Sequence, residues 1–236
     1  SRSSSSADRR RMIDLRTRAH EPEALDLGVP EDAALRSLAD LRFVNRWLGN
    51  RGRFVRAVLP YLRASDRPRL LDVGCGSGDV TVALRRALDG RLAAAAVDIK
   101  LLHLQAAPAE LLRVVADAQR LPFAPGTFDV VTASLFLHHF DEHALPGLLR
   151  GLYALARRAV VINDLRRARV PYLFGRAVFP LLFKSRVSVE DGLISIRSSF
   201  REPDLRAAFA AAGVPSVRIE RTWPYRLLAV AEKSLA

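Results

Sequence analysis

A short apolar run that ends in a glycine-dense turn constrains this fold more than any other feature of the sequence. Residues 70–79 read LLDVGCGSGD, and apolar residues then recur at helical spacing from Val80 to Leu88. Glycine adopts positive φ angles and, having no Cβ, lets a ligand approach the backbone. A strand that passes through such a turn into a helix is typical of doubly wound α/β proteins, which bind ligands at the carboxyl ends of their strands.

Similar short runs alternate with helical or polar segments along the chain. Strands that alternate with helices predict a mostly parallel sheet covered on both faces. After a helix at 202–212, which Gly213 ends, two closing strands joined by residues 223–225 should make the last strand antiparallel. We therefore expect a doubly wound, seven-stranded α/β sheet with strands near 69–73, 92–97, 112–116, 128–133, 159–162, 217–222 and 227–231.

Length and pattern also predict the domain organisation. A chain of 236 residues can bury one substantial core but is short for two full-sized domains. We expect residues 1–30 to form a flexible tail, because the chain begins with a serine-rich and then basic stretch. Residues 31–236 should form a single domain, with an N-terminal helical cap at 31–66 and a lid insertion after strand 5 at 165–200.

Charge and cysteine content give weaker indications of partner and location. The formal charge is +12 and the pI is about 11.1, and a basic surface attracts polyanions. However, all but three of the 37 basic residues are arginines scattered along the chain, which is typical of a GC-rich genome, so a nucleic acid partner is not expected. The single cysteine, Cys75, and the absence of an apolar leader favour the cytoplasm. No uncharged apolar run reaches the roughly 18 residues of a membrane span, which leaves peripheral membrane contact as an alternative.

Acidic residues stand at the ends of three successive predicted strands. Asp72 and Asp79 flank the G-x-G-x-G turn, where they would repel a pyrophosphate but suit a ligand with a positive sulfonium and an α-amino group. Asp98 follows about 20 residues later, where a carboxylate can accept both hydroxyls of a ribose. Asp117 ends the third strand within plausible reach of an adenine amino group. The alternative is that these carboxylates only cap turns.

These residues, with DAQRLPF at 117–123 and GTFDVV at 126–131, closely resemble the class I S-adenosylmethionine (SAM)-dependent methyltransferases. Residues 38–49 and 189–195 are also similar to a bacterial, type 11-like subgroup that methylates small molecules in secondary metabolism, although Glu190 stands where relatives often have histidine. The resemblance implies a Rossmann-like methyltransferase fold, SAM as cofactor and S-adenosylhomocysteine (SAH) as product. It assigns cofactor binding to Asp72, Gly74, Cys75, Gly76, Gly78, Asp98, Ile99, Asp117, Ala118, Ser134 and Leu135.

Candidate residues for methyl transfer follow the fourth strand. Methyl transfer is an in-line displacement, so an enzyme contributes mainly proximity, together with a base when the acceptor loses a proton. His139 and, less favoured, His138 are the candidate catalytic residues, because an imidazole changes charge near neutral pH; they could instead only shape the loop. Candidate substrate contacts are Asp164, Arg166, Arg197, Trp47 and Tyr172, of which Asp164 and Arg166 could equally be a helix cap and a solvated arginine. No metal site is expected, because the histidines lack spaced carboxylate or cysteine partners.

The preferred function is O-methylation of a small apolar aromatic molecule, namely a phenol, a polyketide or a quinone. Two alternatives stay open: C-methylation of a prenylated quinone at a membrane surface, and a non-catalytic protein that binds SAM as a partner subunit. RNA methylation is disfavoured because no Asn-Pro-Pro-Tyr type motif is present. The sequence does not distinguish a monomer from a homodimer.

Overall fold

The computed structural model describes residues 15–47 and 50–233. Its centre is a seven-stranded sheet with the order β3-β2-β1-β4-β5-β7-β6. Strands β1 to β5 pair in parallel, whereas β7 runs antiparallel to both of its neighbours. This confirms the predicted doubly wound α/β fold. The strands are β1 Arg69–Val73, β2 Ala93–Asp98, β3 Leu112–Val115, β4 Phe128–Ser134, β5 Ala156–Leu165, β6 Arg218–Thr222 and β7 Arg226–Glu232.

Helices cover both faces of the sheet. On one face, Phe54, Val58 and Leu62 follow each other at intervals of four residues and are at most 1% exposed, so their helix presents one apolar stripe to the strands. On the other face, Leu149 and Phe209 pack in the same core cluster as the strands. The helices are α1 Ala24–Leu27, α2 Glu31–Trp47, α3 Asn50–Arg63, α4 Asp79–Ala87, α5 Leu101–Gln105, α6 Leu145–Leu155, α7 Arg169–Leu182, α8 Arg186–Ser198 and α9 Glu202–Ala211, with a 3-10 turn at Leu137–His139.

The predicted helical cap at 31–66 divides between two places. Helix α3 belongs to the core layer against β4 and β5. Helix α2 instead packs against α8, where the Asp40 carboxylate accepts hydrogen bonds from the Ser185 amide at 3.1 Å and the Ser188 hydroxyl at 2.9 Å. Only α2 therefore joins the cover formed by the insertion.

The predicted tail at 1–30 needs correction for the part that the structure describes, residues 15–30. Leu15 is 6% exposed and packs against Tyr172. The Arg18 guanidinium donates hydrogen bonds to the backbone carbonyls of His138 at 2.9 Å and Phe140 at 2.6 Å. These contacts attach residues 15–30 to the folded domain, and residues 1–14 lie outside the described part of the chain. Composition could not reveal this, because the partners of Arg18 lie more than 100 residues away.

Within the described ranges, every helix is too short or too polar to cross a lipid bilayer.

Candidate functional site

A cavity of about 920 Å³ lies at the carboxyl ends of the parallel strands. Strand β1 has β2 on one side and β4 on the other, so the chain reverses its direction of travel across the sheet here, which is where doubly wound folds bind ligands. The glycine turn after β1 and the ends of β2 and β4 form its floor. Helices α7 and α8 and the start of β7 close it from the other side.

The glycines of the turn meet different surroundings. A Cβ on Gly74 would lie 2.1 Å from a ring carbon of Phe136, so this glycine lets the phenyl ring pack on the backbone. A Cβ on Gly76 would meet no atom within 4 Å. Both residues have positive φ, 64° and 53°. The open space beside Gly76 is a cradle in which a ligand can contact the backbone directly.

Asp72 lies at the floor of the cavity and is only 2% exposed. Its carboxylate accepts hydrogen bonds from the hydroxyls of Thr81 at 2.5 Å and Thr132 at 2.9 Å. Burial raises the pKa of Asp72 to about 6 despite these two donors. A cationic ligand group beside it would favour the ionised form and so bind more tightly.

Asp98 stabilises the glycine turn as well as lining the cavity. Its carboxylate accepts the amide protons of Gly76 at 3.0 Å and Lys100 at 2.9 Å, and it lies 3.3 Å from His103 Nδ1. Burial alone would raise the pKa of Asp98, but hydrogen bonding from His103 and these amides lowers it. An ionised carboxylate at the end of β2 can accept the hydroxyls of a ribose.

The cavity lining includes ten of the eleven residues predicted to bind the cofactor. Gly78 is the exception: it has a φ of 70° and is the N-cap residue of α4, and a Cβ there would lie 3.3 Å from Leu111, away from the cavity. Leu135 adopts a positive φ of 55°, which is strained for a leucine. Its amide donates to the Asn163 carbonyl at 2.7 Å, and the Asn163 side chain donates to the Ser134 hydroxyl at 3.0 Å. Strand β5 thus fixes the turn that leaves β4.

A buried charged cluster lies next to this turn. His138 Nδ1 is 2.7 Å from Asp164 Oδ1, and its Nε2 is 3.5 Å from Glu23 Oε1. Burial would lower the pKa of His138, but the charge and hydrogen bonds of Asp164 and Glu23 outweigh this and raise it to about 10. The same contacts hold the pKa of both carboxyls below the usual range, although burial opposes this. His138 is therefore an imidazolium at neutral pH and does not fit the predicted role of a base.

His139 is the exposed neighbour of this cluster. Its ring stacks on His138 with centroids 4.5 Å apart, and it lines the cavity. Glu23, His138 and His139 each offer a potential metal ligand within 4.8 Å of one another, a donor set that suits zinc. The expectation that no metal binds stays a prediction.

The predicted substrate contacts are not brought together. None of Asp164, Arg166, Arg197 and Tyr172 is among the residues that line the cavity. Asp164 is fully buried and contacts His138. The guanidinium carbon of Arg166 lies 4.8 Å from the centre of the Tyr225 ring, and Arg197 forms an ion pair with Glu21. Tyr172 is buried against Leu15. Asp164, Arg166 and Arg197 therefore contact other residues of the protein, which their polarity in the sequence alone did not indicate. The Trp47 side chain lies outside the described part of the structure.

Two groups of lining residues were not predicted individually. Glu23 and Leu25 come from the segment expected to be a tail, and residues 223–226 are the connection into β7 and its first residue. The aromatic residues of the insertion and of segment 134–140 did indicate that the cavity would have an apolar wall. That wall contains Phe136, Phe140, Phe174, Phe179 and Phe183.

Comparison with known proteins agrees with this geometry. Residues 70–159 match a family model described as a methyltransferase domain. No curated protein matches the sequence.

Three solved structures illustrate the likeness of fold. A SAM-dependent methyltransferase from Aquifex aeolicus matches with a TM-score of 0.55 and 16% identity, over 75% of this chain and 88% of that one. The plantazolicin methyltransferase BpumL, in complex with a pentazolic desmethylPZN analog and SAH, matches with a TM-score of 0.63 and 14% identity, over 86% of this chain and 97% of that one. Magnesium protoporphyrin IX methyltransferase from Synechocystis, with bound SAH, matches with a TM-score of 0.53 and 20% identity, over 79% and 84%.

Proposed function

We propose that this chain, of which residues 70–159 match a methyltransferase domain, is a class I SAM-dependent methyltransferase that methylates an oxygen of a small, apolar, aromatic acceptor. A phenol, a polyketide or a quinone fits this description. One observation carries the proposal: an acidic end and an aromatic end belong to the same cavity, and His139 lines it.

The acidic end suits the cofactor. Asp72 and the backbone of Gly76 face the part of the cavity where a sulfonium and an α-amino group would be stabilised by negative charge. Asp98 would accept the ribose hydroxyls, and Asp117 and Ala118 would contact the adenine. When bound, SAM supplies a methyl group as an electrophile and SAH is the product.

The aromatic end suits the acceptor. Five phenylalanines line the cavity, and Phe174 and Phe179 come from the helix that covers it. Pockets for ligands of drug size have volumes of about 300–1,000 Å³, and 920 Å³ is near the upper end of that range. The cavity therefore has room for an apolar acceptor next to a cofactor.

His139 and His138 have different roles in the proposed reaction. His139 is the group that we assign to receive, on an imidazole nitrogen, the proton that the acceptor hydroxyl loses. His138 keeps its own proton because Asp164 and Glu23 hold it, so it acts as a positioning residue on which the His139 ring stacks.

A second candidate is C-methylation of a prenylated quinone at a membrane surface. Helix α7 and the connection into β7 leave several large apolar side chains in contact with solvent near the cavity, which is how a protein contacts a lipid surface. These side chains are Val170, Leu173, Phe174, Leu181, Leu182 and Trp223, from 41% to 84% exposed. We place the activity in the cytoplasm and in secondary metabolism, by resemblance to the subgroup of small-molecule methyltransferases.

The test is methyl transfer from labelled SAM to a panel of apolar phenols and quinols in solution and to a prenylated quinol in vesicles. Label should appear on an oxygen of a soluble acceptor. His139→Gln should lower kcat about a hundredfold or more and leave SAH affinity unchanged, whereas the matched change His143→Gln, at an exposed histidine, should lower neither. Label on carbon with the vesicle acceptor alone would favour the second candidate, and SAH binding without any transfer would favour a non-catalytic protein.

A further inference from the structure

Arg226, the first residue of β7, is a buried cation that lines the cavity. It is 6% exposed. Its Nε atom is buried without a hydrogen-bond partner, and no carboxylate of the described residues lies within salt-bridge distance of its guanidinium. A buried charge without hydrogen bonds is costly, and in a cavity a ligand can supply the missing partners.

Asp164 is the carboxylate that acts on the charge of Arg226, but its oxygens already accept hydrogen bonds from other groups. Asp164 opposes the burial that lowers the pKa of Arg226 to about 10. However, Asp164 Oδ1 lies 2.7 Å from both His138 Nδ1 and the Leu165 amide, and Oδ2 accepts the His138 amide at 3.2 Å. Asp164 therefore balances charge at a distance but leaves the donors of Arg226 unmatched.

The strand order places Arg226 on the acceptor side of the cavity. Strands β4 and β5 separate β7 from β1, which amounts to roughly 14 Å at the usual spacing between strands. Arg226 pairs with Leu165 at the carboxyl end of β5. The acidic residues that suit the cofactor follow β1, β2 and β3, on the opposite side of β4.

We infer that Arg226 binds an acidic oxygen group of the acceptor, so that the substrates of this enzyme are apolar aromatic acids, carrying a carboxylate or an acidic phenol, rather than neutral molecules. A guanidinium presents five donors in a planar fork that matches a carboxylate. The inference rests on the proposed function, and it narrows the acceptor class. The competing explanation is that Arg226 serves only as a counter-charge for Asp164.

The experiment compares a charged probe with its neutral isostere on the protein saturated with SAH. Calorimetry measures the binding of 2-naphthoate and of naphthalene-2-carboxamide. Because hydrogen bonds between charged groups contribute about 1.5–3 kcal/mol, the naphthoate should bind about tenfold or more tightly than the amide. Arg226→Gln should abolish this preference, and Arg226→Lys should keep only part of it, since an ammonium lacks the fork.

Arg166→Gln is the matched control, because Arg166 is the neighbouring arginine that stacks on Tyr225 and does not line the cavity. It should keep the preference for naphthoate. SAH affinity is measured on every variant, and its retention shows that the variant is folded. Equal binding of the two probes to the unaltered protein, including no binding of either, or a preference that survives in Arg226→Gln, would overturn the inference. Failure of the unaltered protein to bind SAH would instead contradict the proposed function.

Discussion

Gly74 and Gly76 lie two residues apart in one turn, but an added methyl group would have different consequences at each. At Gly74 it would overlap the Phe136 ring, whereas at Gly76 it would project into open space in the cavity. Both positions have positive φ, which disfavours alanine by about 1–2 kcal/mol. The first glycine therefore serves packing and the second leaves room for a ligand.

Alanine substitutions separate these two roles. Gly74→Ala should reduce the free energy of unfolding by about 1–3 kcal/mol more than Gly76→Ala does, because overpacking adds to the backbone strain. Gly76→Ala should weaken SAH binding beyond what its stability loss explains. Denaturant unfolding and calorimetry check both, and equal losses of stability in the two variants would contradict this account of Gly74.

Individual residues were predictable from the sequence only where a strand end positions them. Asp72, Asp98 and Asp117 could be predicted because each follows an apolar run whose carboxyl end must lie at the same sheet edge. Glu23 and Arg226 were not predicted, because each lies far along the chain from the histidine or carboxylate that it influences, and no pattern in the sequence brings them together.

Among the elements, strands were predicted more closely than the insertion. The buried strands read as short apolar runs, and the predicted bounds differ from the observed ones by a few residues. The insertion at 165–200 forms two helices, α7 and α8, that the sequence did not resolve. Helix α7 exposes apolar residues such as Leu173 and Leu181, so its apolar residues do not by themselves mark the buried face.

Three elements meet in the cluster of Glu23, His138 and Asp164, and this cluster should make stability depend on pH. The folded-state pKa of His138, about 10, lies above the 6.5 of an ordinary histidine. The stabilisation from its proton is therefore fully present below about pH 6.5 and is lost as the pH rises through about 10. The lowered pKa values of the two carboxyls affect stability only at acidic pH.

Replacing His138 should reveal this dependence. Unfolding by denaturant between pH 6 and 10 should show that the unaltered protein is more stable than His138→Gln near neutral pH, and that the difference shrinks as the pH approaches about 10. His143→Gln, at an exposed histidine, serves as the control and should show no such trend. A difference that stays constant over this range would show that His138 is not held as an imidazolium.

At the scale of the whole molecule, the overall charge and the charge of the cavity have opposite signs. The chain carries a formal charge of +12, but Asp72, Asp79, Asp98 and Asp117 all line the end of the cavity that we assign to the cofactor. The local field acts on a bound ligand more strongly than distant surface arginines, which solvent and salt screen. This end should therefore accept the amino group of SAH and reject the pyrophosphate of a dinucleotide.

The most direct test of the central claim is calorimetric titration of the purified protein with SAH and, separately, with NADH, repeated on Asp98→Ala. The account predicts that SAH binds, that NADH does not, and that Asp98→Ala weakens SAH binding by about tenfold or more through loss of charged hydrogen bonds. Glu110→Ala, at an exposed carboxylate outside the cavity, should bind SAH like the unaltered protein. Binding of NADH without binding of SAH would contradict the account and would show that the glycine turn belongs to a dinucleotide-binding site.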